Sequence, residues 1–78
     1  MQIEVRYFAS LRERVGCEQE IIELETGSSV AQAWTIGSAG FDLPGNALCA
    51  INEEYAALGD VVVEGDQVAF FPPVTGGR

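Results

Sequence analysis

The pattern that most restricts this chain is at its start. In MQIEVRYF, Ile3, Val5 and Tyr7 alternate with Gln2, Glu4, Arg6 and Phe8. Successive side chains of a strand point to opposite faces, so this segment reads as a strand with one buried face. QVAFF, near the other end, repeats the pattern with Val68 and Phe70 inward and Gln67, Ala69 and Phe71 outward. Seventy-eight residues make one domain, near the size at which a single core becomes marginal. Ordering such a chain costs on the order of 100 kcal/mol, so most apolar residues must go inside. The 47% hydrophobic fraction supplies that core. A deep private active site carved from the same core does not fit, and size favours a small binding or carrier module.

Between these strands the signals are short. ASLRERVG reads as a helix stopped by Gly16. EQEIIELE is a second strand with Ile22 and Leu24 in phase and Ile21 opposite; its short connection predicts an antiparallel pair with the first. GSSVAQAWTIG opens with the capping-box spacing Ser29 to Gln32, which satisfies exposed amides at a helix start. Val30, Ala33 and Trp34 share one face, and the stripe runs out at Gly37 and Ser38, so barely two turns are expected. SAGFDLPGN is a loop, with Phe41 and Leu43 expected to tuck beneath it. ALCAIN is a third strand, EEYAAL holds a short fourth around Tyr55, and Val61, Val62 and Val63 form an apolar patch before the EGD turn. The order β–α–β–α–β–β–β predicts an α+β fold, a mixed sheet wrapped on one main helix. The expected division is a domain over 1–71 and an extended tail over 72–78, with no repeat, linker or second domain.

The formal charge is −8; Arg6, Arg12, Arg14 and Arg78 are the only basic side chains, with no lysine or histidine. Nucleic-acid binding needs clustered cations, so that class is excluded. An acidic partner is disfavoured, and a basic protein partner fits the sign; the plain alternative is that the acids only keep a small protein dissolved. Cys17 and Cys49 form no CxxC and lack histidine companions for zinc, so no metal site is expected. No signal peptide precedes the first strand and no apolar run could span a bilayer, which reads as a cytosolic protein with reduced, partly buried thiols. Acids follow Cys17 directly, which makes it a poor nucleophile.

Phase places Phe8 and Phe71 on the polar faces of their strands. Together they could make an interaction patch if the first and last strands are neighbours; alternatively each ring folds back into the core. Beyond Phe71, Pro72 and Pro73 fix φ and lack amide hydrogens, which favours an extended, stiffened segment. Val74 and Thr75 follow, then Gly76 and Gly77, around whose bare backbone a narrow channel could close. Ordering such a tail in a partner costs about 1–2 kcal/mol per residue, and prolines reduce that cost in advance. Composition leaves a working tail and a frayed terminus both open.

EGDQVAFFPPVTGG resembles the C-terminal signature of the small subunit of molybdopterin synthase, the MoaD family of β-grasp sulfur carriers. The opening IEVRYFASLRERVG resembles that family's first strand and helix. The resemblance implies a ubiquitin-like β-grasp fold and a chemistry performed on the chain end. A terminal carboxylate is ionised near neutral pH, with a pKa of about 3.5. In the family an E1-like adenylyltransferase joins AMP to it from ATP, and sulfur from a persulfide donor displaces AMP to leave a thiocarboxylate. The tail then enters the large synthase subunit, where the sulfur attacks a cyclic pyranopterin precursor of the molybdenum cofactor. No cofactor is bound by the small subunit itself, and the catalytic acids and bases belong to partners.

Carried over, the resemblance gives Gly77 the sulfur and Gly76 the narrow passage. Pro72, Pro73, Val74 and Thr75 would form the arm, and Phe8, Leu11, Arg12 and Phe71 would dock on the large subunit. Two departures stand out. Family members commonly end at the second glycine, whereas Arg78 follows here; the expectation is that it is trimmed before activation. Relatives also tend to a longer, leucine-bearing central helix where this chain has AWTIGSAGFDL, and Trp34 would replace that packing as one large anchor. Carriers for thiamine or tRNA thiolation share the fold and glycine end, although FFPPVTGG favours the molybdopterin branch. A ubiquitin-like modifier and a plain interaction module are the other classes in play.

Overall fold

A computed structural model describes residues 1–38 and 42–73. Seven elements follow in order: β1 (Gln2–Tyr7), α1 (Ala9–Val15), β2 (Gln19–Glu23), α2 (Val30–Gly37), β3 (Leu48–Ile51), β4 (Glu54–Ala56) and β5 (Gln67–Phe71). The strands form one mixed sheet in the order β2-β1-β5-β3-β4. β1 pairs antiparallel with β2 and parallel with β5, so the two ends of the chain meet in the middle of the sheet. β3 is antiparallel to both β5 and β4. This is the expected α+β, β-grasp arrangement.

The alternation in the sequence becomes the two faces of the sheet. Ile3, Val5 and Tyr7 of β1 and Val68 and Phe70 of β5 are fully buried, and they share the core with Val30, Ala33 and Trp34 of α2. Helix α2 opens with the expected capping box: the Gln32 amide donates to Ser29 Oγ at 3.3 Å, and the Ser29 amide donates to Gln32 Oε1 at 2.9 Å. Helix α1 ends where Gly16 turns left-handed at φ 93°. Leu11 locks α1 to the core at 2% exposure.

Two expectations are refined by packing. The valine triplet is not one patch, because Val62 is buried while Val61 and Val63 stay exposed. Leu43 packs against the core, whereas Phe41 lies outside the described residues.

Three aromatic rings fill the centre. Trp34 meets Phe70 edge-on at 4.9 Å and Tyr7 edge-on at 5.8 Å, while Tyr7 and Phe70 stack at 6.2 Å. Such pairs contribute about 0.5–1.5 kcal/mol each beyond their burial, which offsets the brevity of α2. Tyr7 carries a polar tip into this core and donates from its hydroxyl to Glu20 Oε2 at 2.7 Å. Gly37 closes the same corner: a Cβ there would stand 2.7 Å from the Tyr7 hydroxyl and 3.2 Å from Glu20 Oε2.

Gly37→Ala should therefore destabilise the fold by about 1–3 kcal/mol, since the rigid ring cannot yield without losing its hydrogen bond. Chemical denaturation checks this, with Gly59→Ala, which meets nothing within 4 Å, as the neutral control. Burial, reinforced by the Glu20 carboxylate, pushes the Tyr7 phenol well above its usual range. The unfolded chain releases that proton near pH 10 and the folded one retains it. The stabilisation is thus complete below about pH 10 and declines above it, by about 1.4 kcal/mol per pH unit. Denaturation between pH 10 and 12 should show a slope shallower by one proton in Tyr7→Phe than in the parent.

Candidate docking face and tail root

The sheet face turned away from α2 divides into two halves. Its polar half is a small network in which Arg6 Nε donates to Glu4 Oε2 at 2.7 Å and Gln67 Nε2 donates to the same oxygen at 3.3 Å. The Arg6 bond, followed by that from Gln67, holds the Glu4 carboxyl below the usual carboxylate range.

Its apolar half lies where β1 and β5 end side by side. Tyr7 pairs with Phe70, and the Phe8 amide continues the ladder by donating to the Phe70 carbonyl at 3.1 Å. Phe8 therefore sits beside Phe71. The Tyr55 ring, from β4, lies 5.9 Å from that of Phe71. Between them Ala50 pairs with Ala69 across β3 and β5, and with Tyr55 across β3 and β4. Two methyl groups where larger side chains could stand leave a depression.

The result is an open groove of about 600 Å³. Ala50 and Ala69 floor it, Phe8, Tyr55 and Phe71 wall it, and Pro72 and Pro73 close the end from which the chain leaves β5. Ala9 and Glu53 complete the rim. Phe8 is 44% exposed and Tyr55 75%; Phe71, Pro72 and Pro73 are half-buried. Both rim residues have positive φ, 52° at Ala9 and 72° at Glu53, a region that side chains with a Cβ seldom occupy. An exposed apolar concavity of this kind is a candidate interaction surface.

Of the expected docking residues, Phe8 and Phe71 are brought together, because β1 and β5 are neighbours. Pro72 and Pro73 join them. Leu11 is a correction: it is buried at 2% exposure and holds α1 in place, so it offers no docking surface. The helix period turns Leu11 inward. Arg12 is exposed on α1 but does not line the groove; its guanidinium is 3.5 Å from the Glu18 carboxylate. Val74, Thr75, Gly76, Gly77 and Arg78 lie outside the described residues. Tyr55, Ala50, Ala69 and Glu53 were not anticipated as site residues. Ala69 was outward by phase, but nothing along the chain pairs it with Ala50.

The thiols stand apart from this surface. Burial, then the Glu20 charge, pushes the Cys17 thiol up; burial, then Asp60, does the same to Cys49, whose Sγ donates to the Ala56 carbonyl at 3.1 Å. Neither is an activated nucleophile. The groove itself can hold apolar side chains, and Glu53 is the only ionisable carboxylate among the described residues that line it.

Comparison with known proteins agrees with this geometry. Residues 5–77 match the ThiS family. The molybdopterin synthase sulfur carrier subunit of Homo sapiens is 34% identical over 83 residues, covering 97% of this chain and 94% of the relative. That of Escherichia coli strain K12 is 35% identical over 80 residues, covering 96% and 99%. Among solved structures, SAMP1 from Haloferax volcanii superposes with a TM-score of 0.81 at 29% identity, covering 99% of this chain and 100% of the other. A β-grasp sheet matched along almost its whole length by these relatives places the chain in the ThiS family.

Proposed function

We propose that this chain is the sulfur carrier subunit of a molybdopterin synthase, delivering sulfur from a C-terminal Gly-Gly thiocarboxylate to a cyclic pyranopterin precursor. The observation that carries the reading is the coincidence of the exposed apolar groove with the root of the tail. Pro72 and Pro73 line the groove and lead directly towards Gly76 and Gly77. A partner that covers Phe8, Tyr55 and Phe71 therefore receives the chain end at the same time. The curated relatives that carry the name of this subunit match over nearly their full length, and they support the molybdopterin branch over thiamine, tRNA thiolation or protein tagging.

In this reading the domain supplies the arm and partners supply the chemistry. Activation needs a free carboxylate on Gly77, so Arg78 has to be removed first. An E1-like adenylyltransferase then converts the carboxylate to an acyl-adenylate with ATP, and a persulfide donor provides the sulfur that displaces AMP. The large synthase subunit docks on the apolar face, with Phe8 and Phe71 at its centre. Gly76 passes the narrow entrance where a side chain would not fit, while Val74 and Thr75 span the distance from the groove. In this reading the protein works in the cytoplasm.

Intact mass measured on protein from its native cell should show loss of arginine and replacement of one oxygen by sulfur; a thiocarboxylated chain that keeps Arg78 would sink the trimming step. Adducts on other proteins that survive thiol reductant would instead indicate tagging. Phe8→Ala should weaken binding to the large subunit by about 2 kcal/mol, roughly thirtyfold, as read by titration calorimetry. Its melting temperature should barely move, because the exposed ring contributes little to the core.

A further inference from the structure

The hairpin between β3 and β4 holds a residue in a conformation its own chemistry opposes. Asn52 and Glu53 form a two-residue turn with φ of 51° and 72°, and such turns favour Asn followed by Gly. Asn52 has a structural reason for its place: its Oδ1 accepts from the Gln67 amide at 2.9 Å and its Nδ2 donates to Asp66 Oδ1 at 3.0 Å. Glu53 has none of this kind. Its carboxylate makes no hydrogen bond or ion pair among the described residues. A glutamate standing where glycine would relieve the backbone points to a role for its side chain.

Its surroundings say which role. Glu53 is the one ionised residue among those described that line the groove. The cation on the same sheet face, Arg6, is already committed to Glu4 at 2.7 Å. Covering the groove strips water from the Glu53 carboxylate, and a carboxylate desolvated without a counter-charge is costly. Arg12 is paired with Glu18, and neither it nor Arg14 lines the groove, so the counter-charge is left to the partner. The formal charge of −8 would also draw a basic partner towards the molecule.

We propose that Glu53 is a specificity-determining residue of the docking face. Its carboxylate receives an arginine or lysine of the large subunit, while an apolar side chain of that subunit lies over Ala50 and Ala69. The inference rests on the docking reading above and names the partner chemistry that reading leaves open. A surface with the apolar group but an acid or neutral group opposite Glu53 is rejected by the unpaired charge.

Two substitutions separate strain from recognition. Glu53→Gln keeps the side chain and its strained backbone but loses the charge. Glu53→Gly loses the charge and relieves the backbone. Binding of each full chain to the large subunit is measured by titration calorimetry, and Tm by thermal unfolding. Both variants should bind about tenfold more weakly than the parent. The glutamine variant should keep its Tm, and the glycine variant should gain about 4 °C. Weaker binding by a more stable protein is a result that a merely structural role for Glu53 would not produce. Affinities within twofold of the parent for both variants would overturn the inference and leave the docking reading intact. A parent chain that does not bind the large subunit at all would overturn that reading, and this inference with it.

Discussion

Everything distinctive in this molecule depends on the parallel pairing of its first and last strands. The register Tyr7↔Phe70 joins residues from opposite ends of the chain, a closure whose entropic cost grows only as the logarithm of the loop length. What offsets it is the apolar face that the pairing completes, since Ile3, Val5, Tyr7, Val68 and Phe70 are all fully buried. The same pairing has a second consequence on the other face. It puts Phe8 beside Phe71 on a surface that is already apolar. One hydrogen-bonded seam thus builds the core and the docking face together.

The aromatic cluster explains how so short a helix suffices. Helix α2 has eight residues, yet Trp34 contacts both Tyr7 and Phe70 through its faces and edges. Large rings bury much area for few ordered torsions. The arrangement leaves little slack, because the Tyr7 hydroxyl and Glu20 occupy the space a side chain at position 37 would need. The glycine near the end of α2 is therefore part of the core's shape. The brevity of this helix is compensated within the core.

Unfavourable backbone is concentrated at the groove. Ala9 and Glu53, two of the three non-glycine residues with positive φ among those described, stand on its rim. The third, Asn52, adjoins Glu53 and is held by side-chain hydrogen bonds. The strained rim stands over a firmly packed core.

The sequence by itself determined the elements, the inward faces of β1 and β5, the capping box of α2, and the outward phase of Phe8 and Phe71. These are local facts, fixed by periods of 2 and 3.6 and by the chemistry of caps. It also carried the resemblance of FFPPVTGG, on which the chemistry proposed for the tail rests. Leu11 shows the limit of such transfer: a residue assigned to a surface is buried, because the packing of α1 on the sheet decides which of its sides is free. Only the tertiary structure decided that Ala50 lies opposite Ala69, that Tyr55 walls the same groove as Phe8, and that Glu53 is its lone charge among the described residues. Those neighbours come from strands distant in the chain, and a period along one strand carries no information about which residue stands across from it.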